Sequence, residues 1–161
     1  MPRGFVRPRS KLRGIMHESN LQAVKAIYQA MERGDVPGIL EMIGENVEWG
    51  YEVVHSDAPW HTTVRGRHAV PRYFGALLDN VKVLRIEPLE YSASGAQVVA
   101  RVKVEYTVRR SGRRVSLNQV HWWTFDQGGR VVRLWHWEDT AAVRDAWLAE
   151  PVETSQRNPA T

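Results

Sequence analysis

The 161-residue chain contains no cysteine. That excludes a disulfide framework, a thiol nucleophile and any cysteine-ligated metal centre. It also fits a reducing compartment, and a cytoplasmic location is the expectation. No apolar run approaches the roughly 18 to 20 residues that a membrane helix needs, so no membrane partner is expected. The opening stretch MPRGFVRPRSKLRGIM is basic but lacks the apolar segment of a secretory signal. Acids are missing there too. The first is Glu18, whereas Arg3, Arg7, Arg9, Lys11 and Arg13 supply five positive charges. The whole chain has a formal charge of +4 and a pI near 9.7, so without those five the remainder sums to −1. The body is therefore not a basic nucleic-acid-binding surface, and no specific nucleic-acid partner is expected. Residues 1–15 read as a disordered basic leader, 16–149 as one domain and 150–161 as a polar tail.

Within the body, hydrophobic periodicity predicts the elements. Ser19 to Arg33 reads as a helix, with Ser19 and Gln22 as a capping box and Leu21, Val24, Ile27, Tyr28 and Met31 on one face. Gly34 ends it in the left-handed position, and Asp35 caps a short second helix with Pro37 in its first turn and Ile39, Leu40, Met42 and Ile43 as its apolar face. NVEWGYEVV alternates like a half-buried strand, with Val47, Trp49, Tyr51 and Val53 on one side. HSDAPWHTTVRGR has no periodicity and reads as a loop. His68 to Asp79 is a third helix. Val81 to Tyr91 reads as an irregular or edge strand because Pro88 interrupts it. QVVARVKVEYTV, Arg114 to Asp126 and Arg130 to Asp139 complete an antiparallel meander, with turns at Ser111-Gly112 and DQGG. Thr140 then caps a short C-terminal helix. Helices segregated from such a sheet define an α+β fold, and a curved sheet over helices leaves a concave mouth suited to a small ligand.

ERGDVPGILEMIGENVEWG, RGRHAVPRYF and WTFDQGGRVVRLWHWEDT resemble the NTF2-like superfamily, and within it the SnoaL-like proteins related to ketosteroid isomerase. The similarity spans residues 18 to 148. It implies an α+β cone, a curved antiparallel sheet wrapped over three N-terminal helices with a short C-terminal helix, enclosing an apolar cavity. It also implies homodimers through the outer face of the sheet. The chemistry of the best-known relatives does not carry over. The helical tyrosine of ketosteroid isomerases falls on Ile27, one residue from Tyr28. Their general-base aspartate falls on Trp49, and their protonated acid on His121. The last-strand aspartate of limonene-epoxide hydrolases falls on Trp137. Both specific activities are therefore set aside.

VHWWTFDQGGRVVRLWHWEDT holds four of the seven tryptophans and two of the six histidines. If DQGG closes the hairpin with Phe125 opposite Arg130, then His121 opposes Leu134 and Gln119 opposes His136. Opposed residues share a face. One face then carries Gln119, His121, Trp123, Phe125, Val132, Leu134, His136 and Glu138, and the resemblance places it inside. The other carries Val120, Trp122, Val131, Arg133, Trp135 and Trp137 and wants a partner, which a second copy would supply. A histidine among apolar residues, oriented by a carboxylate, is suited to acid–base chemistry near neutral pH, so His121, His136 and Glu138 are the candidate catalytic groups. Trp49, Tyr51, His55, Trp60, Tyr73 and Trp123 are the candidate ligand contacts, with Trp60 as the residue to fold over a bound molecule. Arg65 and Arg67 are expected to meet the acidic Glu45 and Glu48 region. The expected ligand is small, apolar and oxygen-bearing. The expected activity is a cofactor-free isomerase, cyclase or hydrolase, with a non-catalytic binding or dimerisation module as the alternative. No metal is expected: the spacing of the histidines and glutamate across two strands is not a recognised metal motif.

Overall fold

A computed structural model describes residues 9–53 and 55–152. Helix α1 (Arg9–Arg33) is followed by α2 (Val36–Glu41) and strand β1 (Ile43–Tyr51). Strand β2 (Thr63–Arg65), a 3-10 turn (Arg67–Ala69) and α3 (Val70–Asn80) come next. The remainder is β3 (Val81–Ser94), β4 (Gln97–Val108), β5 (Arg114–Phe125), β6 (Val131–Trp137) and α4 (Thr140–Leu148). One six-stranded sheet has the order β2-β1-β6-β5-β4-β3. This is the expected α+β architecture, with one change: β1 lies parallel to β6, so the sheet is mixed rather than wholly antiparallel.

Several boundaries move for identifiable reasons. The first helix begins at Arg9, inside the segment expected to be a disordered leader, so Ser19 lies within it and caps nothing. Gln22 instead donates to Glu18 one turn back. Residues 1–8 and 153–161 lie outside the described residues. Gly34 has φ +68°, and the Asp35 N–H reaches Ala30 O at 2.8 Å, which closes α1. Asp35 caps α2 through the Gly38 N–H. Ile43 and Gly44, expected in that helix, instead open β1. Residues 63–65, expected as loop, pair antiparallel with β1. The C-terminal helix is capped by Asp139 rather than Thr140, its carboxylate accepting from the Ala142 N–H. Pro88 does sit on an edge strand, next to a register shift.

The β5–β6 hairpin decides which side chains face inward. His121 pairs with His136 and Trp123 with Leu134, two residues from the predicted register. A bulge lets Phe125 oppose Val131 while Thr124 opposes Arg133. A two-residue shift preserves side-chain parity, so the predicted inner face survives through its histidines. The bulge exchanges only the neighbours of the turn: Val131 is buried and Val132 is half-buried, the reverse of the prediction. The inner sheet face packs on α1 and α3, with Val24, Ile27, Trp49, Val70, Trp123 and Leu134 fully buried between them. Trp122, Trp135 and Trp137 lie on the opposite face with Val120.

Candidate functional site

Strict alternation along β5 turns Gln119, His121 and Trp123 into the interior, and β6 adds His136 beside them. Glu138 follows directly after β6, and its side chain is fully enclosed. Because His121 and His136 are paired residues on neighbouring strands, their rings stack at 4.2 Å and 19°. Stacked this way, the two imidazoles cannot aim their nitrogens at one point. No group of three or more His, Asp or Glu among the described residues could hold a metal ion.

A continuous hydrogen-bonded chain runs through the interior. Gln119 Nε2 donates to Glu138 Oε2 at 2.6 Å. A carboxylate only accepts, so the amide orientation is fixed and Gln119 Oε1 faces His121 Nε2 at 2.7 Å. His121 Nε2 must then carry the proton, and Nδ1 accepts from the Tyr28 hydroxyl at 2.8 Å. Trp123 Nε1 donates to the Tyr28 oxygen at 3.3 Å. Every bond therefore points toward Glu138. Its other oxygen, Oε1, accepts from His61 Nε2, and His61 Nδ1 meets the Ser56 hydroxyl. The expected direct contact between Glu138 and His121 is not made: Gln119 lies between them. Burial pushes the pKa of His121 down to about 3. His136 is also held well below the ordinary value, by burial first and then by the neighbouring imidazoles of His121 and His61. Both rings are neutral at pH 7.

His136 stands apart from the chain. The Tyr51 and Tyr73 rings lie 6.2 Å apart at the same end of the site. The Tyr73 hydroxyl meets His136 Nδ1 at 3.3 Å. His136 Nε2 is buried without a partner, and it carries the ring proton when Tyr73 donates to Nδ1. The Tyr106 hydroxyl on β4 is buried and unpartnered as well. Burial raises the pKa of Tyr51, Tyr73 and Tyr106, and the nearby Glu138 carboxylate adds to the rise in each. The three hydroxyls therefore mark one polar end.

That end opens on a cavity of about 190 Å³ between the sheet, α1, α2 and α3. Tyr51, Tyr73, Tyr106, Gln119, His121 and His136 line its polar end. Met31, Ile39, Phe74, Leu77, Val83 and Ile86 are among the residues of its apolar walls, and among the described residues no Lys, Arg, Asp or Glu lines it.

Of the residues singled out from sequence, Tyr51, Tyr73, His121 and His136 line this cavity. Trp49 and Trp123 are fully buried behind it and pack edge-to-face at 5.6 Å. Trp60 does not lie over the mouth; it is buried against Tyr106 and Trp147. His55 is exposed and stands away from the lining. Arg65 meets Glu48 at 2.8 Å as expected, while Arg67 binds the Ile43 carbonyl instead. Three residues are not singled out by the sequence in these roles: Tyr28, Tyr106, and His61 as the direct partner of Glu138. Tyr106 sat on the inner face of an alternating strand, and Tyr28 on the buried face of α1. His61 lies in an aperiodic loop, whose pattern does not say which residue it meets.

The SnoaL-like domain family matches residues 24–134, more than two thirds of the chain. The chain is a SnoaL-like domain. Solved structures agree with that membership. An NTF2-like protein from Burkholderia xenovorans LB400 is 27% identical with a TM-score of 0.71, covering 81% of this chain and 96% of its own. An NTF2-like protein of unknown function from Burkholderia pseudomallei K96243 is 28% identical with a TM-score of 0.73, covering 81% and 98%. TerC, co-crystallised with polyporic acid, is 25% identical with a TM-score of 0.72, covering 80% and 98%. No curated protein matches the chain. The SnoaL-like membership accounts for the α+β fold, with helices against a curved six-stranded sheet.

Proposed function

We propose that this SnoaL-like domain binds a small, apolar, uncharged molecule carrying an acceptor oxygen. One observation carries the reading: the Tyr106 hydroxyl and His136 Nε2 are buried without partners on residues that line an otherwise apolar cavity, the hydroxyl a donor and Nε2 a donor when Tyr73 donates to Nδ1. An unsatisfied buried donor costs roughly 1–3 kcal/mol, which a ligand oxygen would recover. A charged ligand would meet no opposite charge among the described lining residues, a strongly unfavourable burial. The volume slightly exceeds the roughly 150 Å³ that accommodates benzene, so the ligand has about 8 to 11 non-hydrogen atoms. That TerC is co-crystallised with polyporic acid supports an organic occupant as such. The reading calls for no cofactor.

Turnover as an isomerase, cyclase or hydrolase is a second reading, and it is narrower than the sequence suggested. Both nitrogens of His121 are engaged. Glu138 does not line the cavity. His136 Nε2 is the imidazole nitrogen left for a substrate. The outer face, with Trp122, Trp135 and Trp137 around Val120, fits a second copy of the chain.

Titration calorimetry at pH 7.5 with indane, its ketone indanone and indane carboxylate tests the binding reading. Two recovered hydrogen bonds predict indanone binding about 10-fold tighter than indane or more. Indane carboxylate should bind about 100-fold weaker than indanone. Tyr106→Phe and His136→Phe should bring indanone toward indane. No binding of any of the three rejects the ligand-binding reading. Solvent deuterium exchange at the indanone α-carbons, lost in His136→Phe, tests turnover; exchange at the buffer rate leaves a binding module.

A further inference from the structure

A second constellation lies outside the cavity, at the loop between β1 and β2. The Ser56 hydroxyl is bonded to His61 Nδ1, and His61 Nε2 to Glu138 Oε1. Ser56 is exposed, while the side chains of His61 and Glu138 are both fully enclosed. We propose that Ser56, His61 and Glu138 form a nucleophilic serine site that takes acyl-ester electrophiles. This activity is independent of ligand binding in the cavity.

The roles follow from the hydrogen positions. The carboxylate accepts, so the His61 proton sits on Nε2 and the Nδ1 lone pair faces the serine hydroxyl. A hydroxyl donating to an imidazole that a carboxylate orients is the general arrangement of an activated serine. Here the two ring nitrogens are exchanged relative to the usual protease order, which leaves the proton transfers unaltered. The imidazole is clamped: the Tyr51 ring lies 4.5 Å from it and the Trp60 ring 5.7 Å. The His61 N–H is further tied to Ala58 O, and the Ala58 N–H donates to Ser56 Oγ at 3.1 Å, fixing the nucleophile in the turn. Glu138 is held from its other side by Gln119. A fully enclosed carboxylate and imidazole leading to one exposed hydroxyl is costly to build for a loop anchor alone.

In the reaction, Ser56 Oγ attacks the ester carbonyl while its proton passes to His61 Nδ1. The carbon–oxygen bond to the leaving alcohol breaks, and that alcohol takes the proton from His61. Water then attacks the acyl-serine by the same route, releasing the carboxylic acid and restoring the hydroxyl. Ser56 and His61 are the catalytic residues, and Glu138 is a positioning residue.

The test uses the full chain and a biotinylated fluorophosphonate, with the adduct located by peptide mass spectrometry. Oγ–P bond formation expels fluoride with the serine proton. Exposed Ser92 and Ser94 on the edge strand serve as internal controls. The expected result is Ser56 labelling about 100-fold faster than either control, the scale of general-base assistance. Ser56→Ala should abolish both the label and any p-nitrophenyl acetate hydrolysis. Glu138→Gln should slow labelling at least about 10-fold, and Glu138→Asp should restore part of the rate while melting like Glu138→Gln. Labelling of Ser56 no faster than Ser92 and Ser94 overturns the proposal, and that comparison needs no variant to fold. Equal labelling in wild type and a folded Glu138→Gln overturns it also, leaving Ser56 as an ordinary exposed hydroxyl.

Discussion

Replacing Gln119 by leucine isolates the interior chain of hydrogen bonds, because Gln119 is the link that touches both a histidine and the buried carboxylate. Leucine matches glutamine closely in volume, so little cavity or overpacking is created. Two groups lose their partners: the His121 Nε2–H and Glu138 Oε2. An orphaned neutral donor costs roughly 1–3 kcal/mol, and the bond to a charged group adds about 1.5–3 kcal/mol. Leucine burial returns about 1–2 kcal/mol. The net expectation is a loss of roughly 2–4 kcal/mol, a fall in Tm of about 5–15 °C for a domain of this size. His121→Phe should cost a similar amount, by orphaning the Tyr28 hydroxyl and the Gln119 carbonyl oxygen. In the double variant neither member of the central His121–Gln119 bond remains, so the two changes should fall short of additivity by about 2 kcal/mol. Urea unfolding of the four proteins, checked for equal m-values, measures that coupling. Additive losses, or a Gln119→Leu that melts with wild type, would refute the polarised chain and the proton positions assigned from it.

Acid should destabilise the fold before most carboxylates titrate. A histidine with a folded pKa below its unfolded value of about 6.5 takes up a proton on unfolding, so its stabilisation is present above pH 6.5 and is lost as pH falls toward 3. At pH 4.5 His121 accounts for about 3 kcal/mol, and His136 acts in the same direction. Thermal melts of wild type and His121→Phe between pH 7.5 and 4.5 should show a shallower slope in the variant; parallel slopes would deny the depressed pKa. Trp122→Glu, on the exposed outer face beside Trp137, should convert a dimer to a monomer by light scattering without loss of cavity binding; a wild-type monomer removes the proposed interface. Gly50→Ala should cost about 2 kcal/mol or more, because a Cβ there would lie 2.2 Å from the Thr62 carbonyl oxygen in the β1–β2 pair; an unchanged urea midpoint would show that β2 is not docked.

The sequence carried the architecture because its periodicities are local. β4 begins and ends where the alternation of QVVARVKVEYTV does, and Asp35 and Gly34 bracket the same helix break in both readings. The hairpin register was misread by two residues, since the turn composition does not reveal a bulge at Val132, yet parity kept His121 and His136 inside. The parallel pairing of β1 with β6 is a long-range fact with no local trace. The same holds for the site. An inward alternation could nominate His121, His136 and Tyr51. It could not say that Gln119 stands between His121 and Glu138, nor that His61, more than seventy residues away in sequence, takes the carboxylate. Tryptophans misled for a physical reason: a large indole near a loop satisfies burial as well as ligand contact, and Trp49, Trp60 and Trp123 all went to the core.

The two histidines that looked equivalent in the sequence have opposite prospects. His121 has an acceptor for its proton and a donor for its lone pair, so moving a proton onto or off it breaks bonds already made. Its stack with His136 lets it shape the cavity wall without reacting. His136 makes one long bond through Nδ1 and leaves Nε2 buried without a partner on a residue of the cavity lining. A chain that spends one imidazole on architecture and leaves its stacked neighbour incomplete points to His136 as the group that meets a ligand. Substitution should separate them: His121→Phe should act chiefly on the melting temperature, and His136→Phe chiefly on affinity for an uncharged carbonyl ligand. If both substitutions moved stability alone, with indanone affinity unchanged, the unpartnered nitrogen would be a tolerated defect of the core.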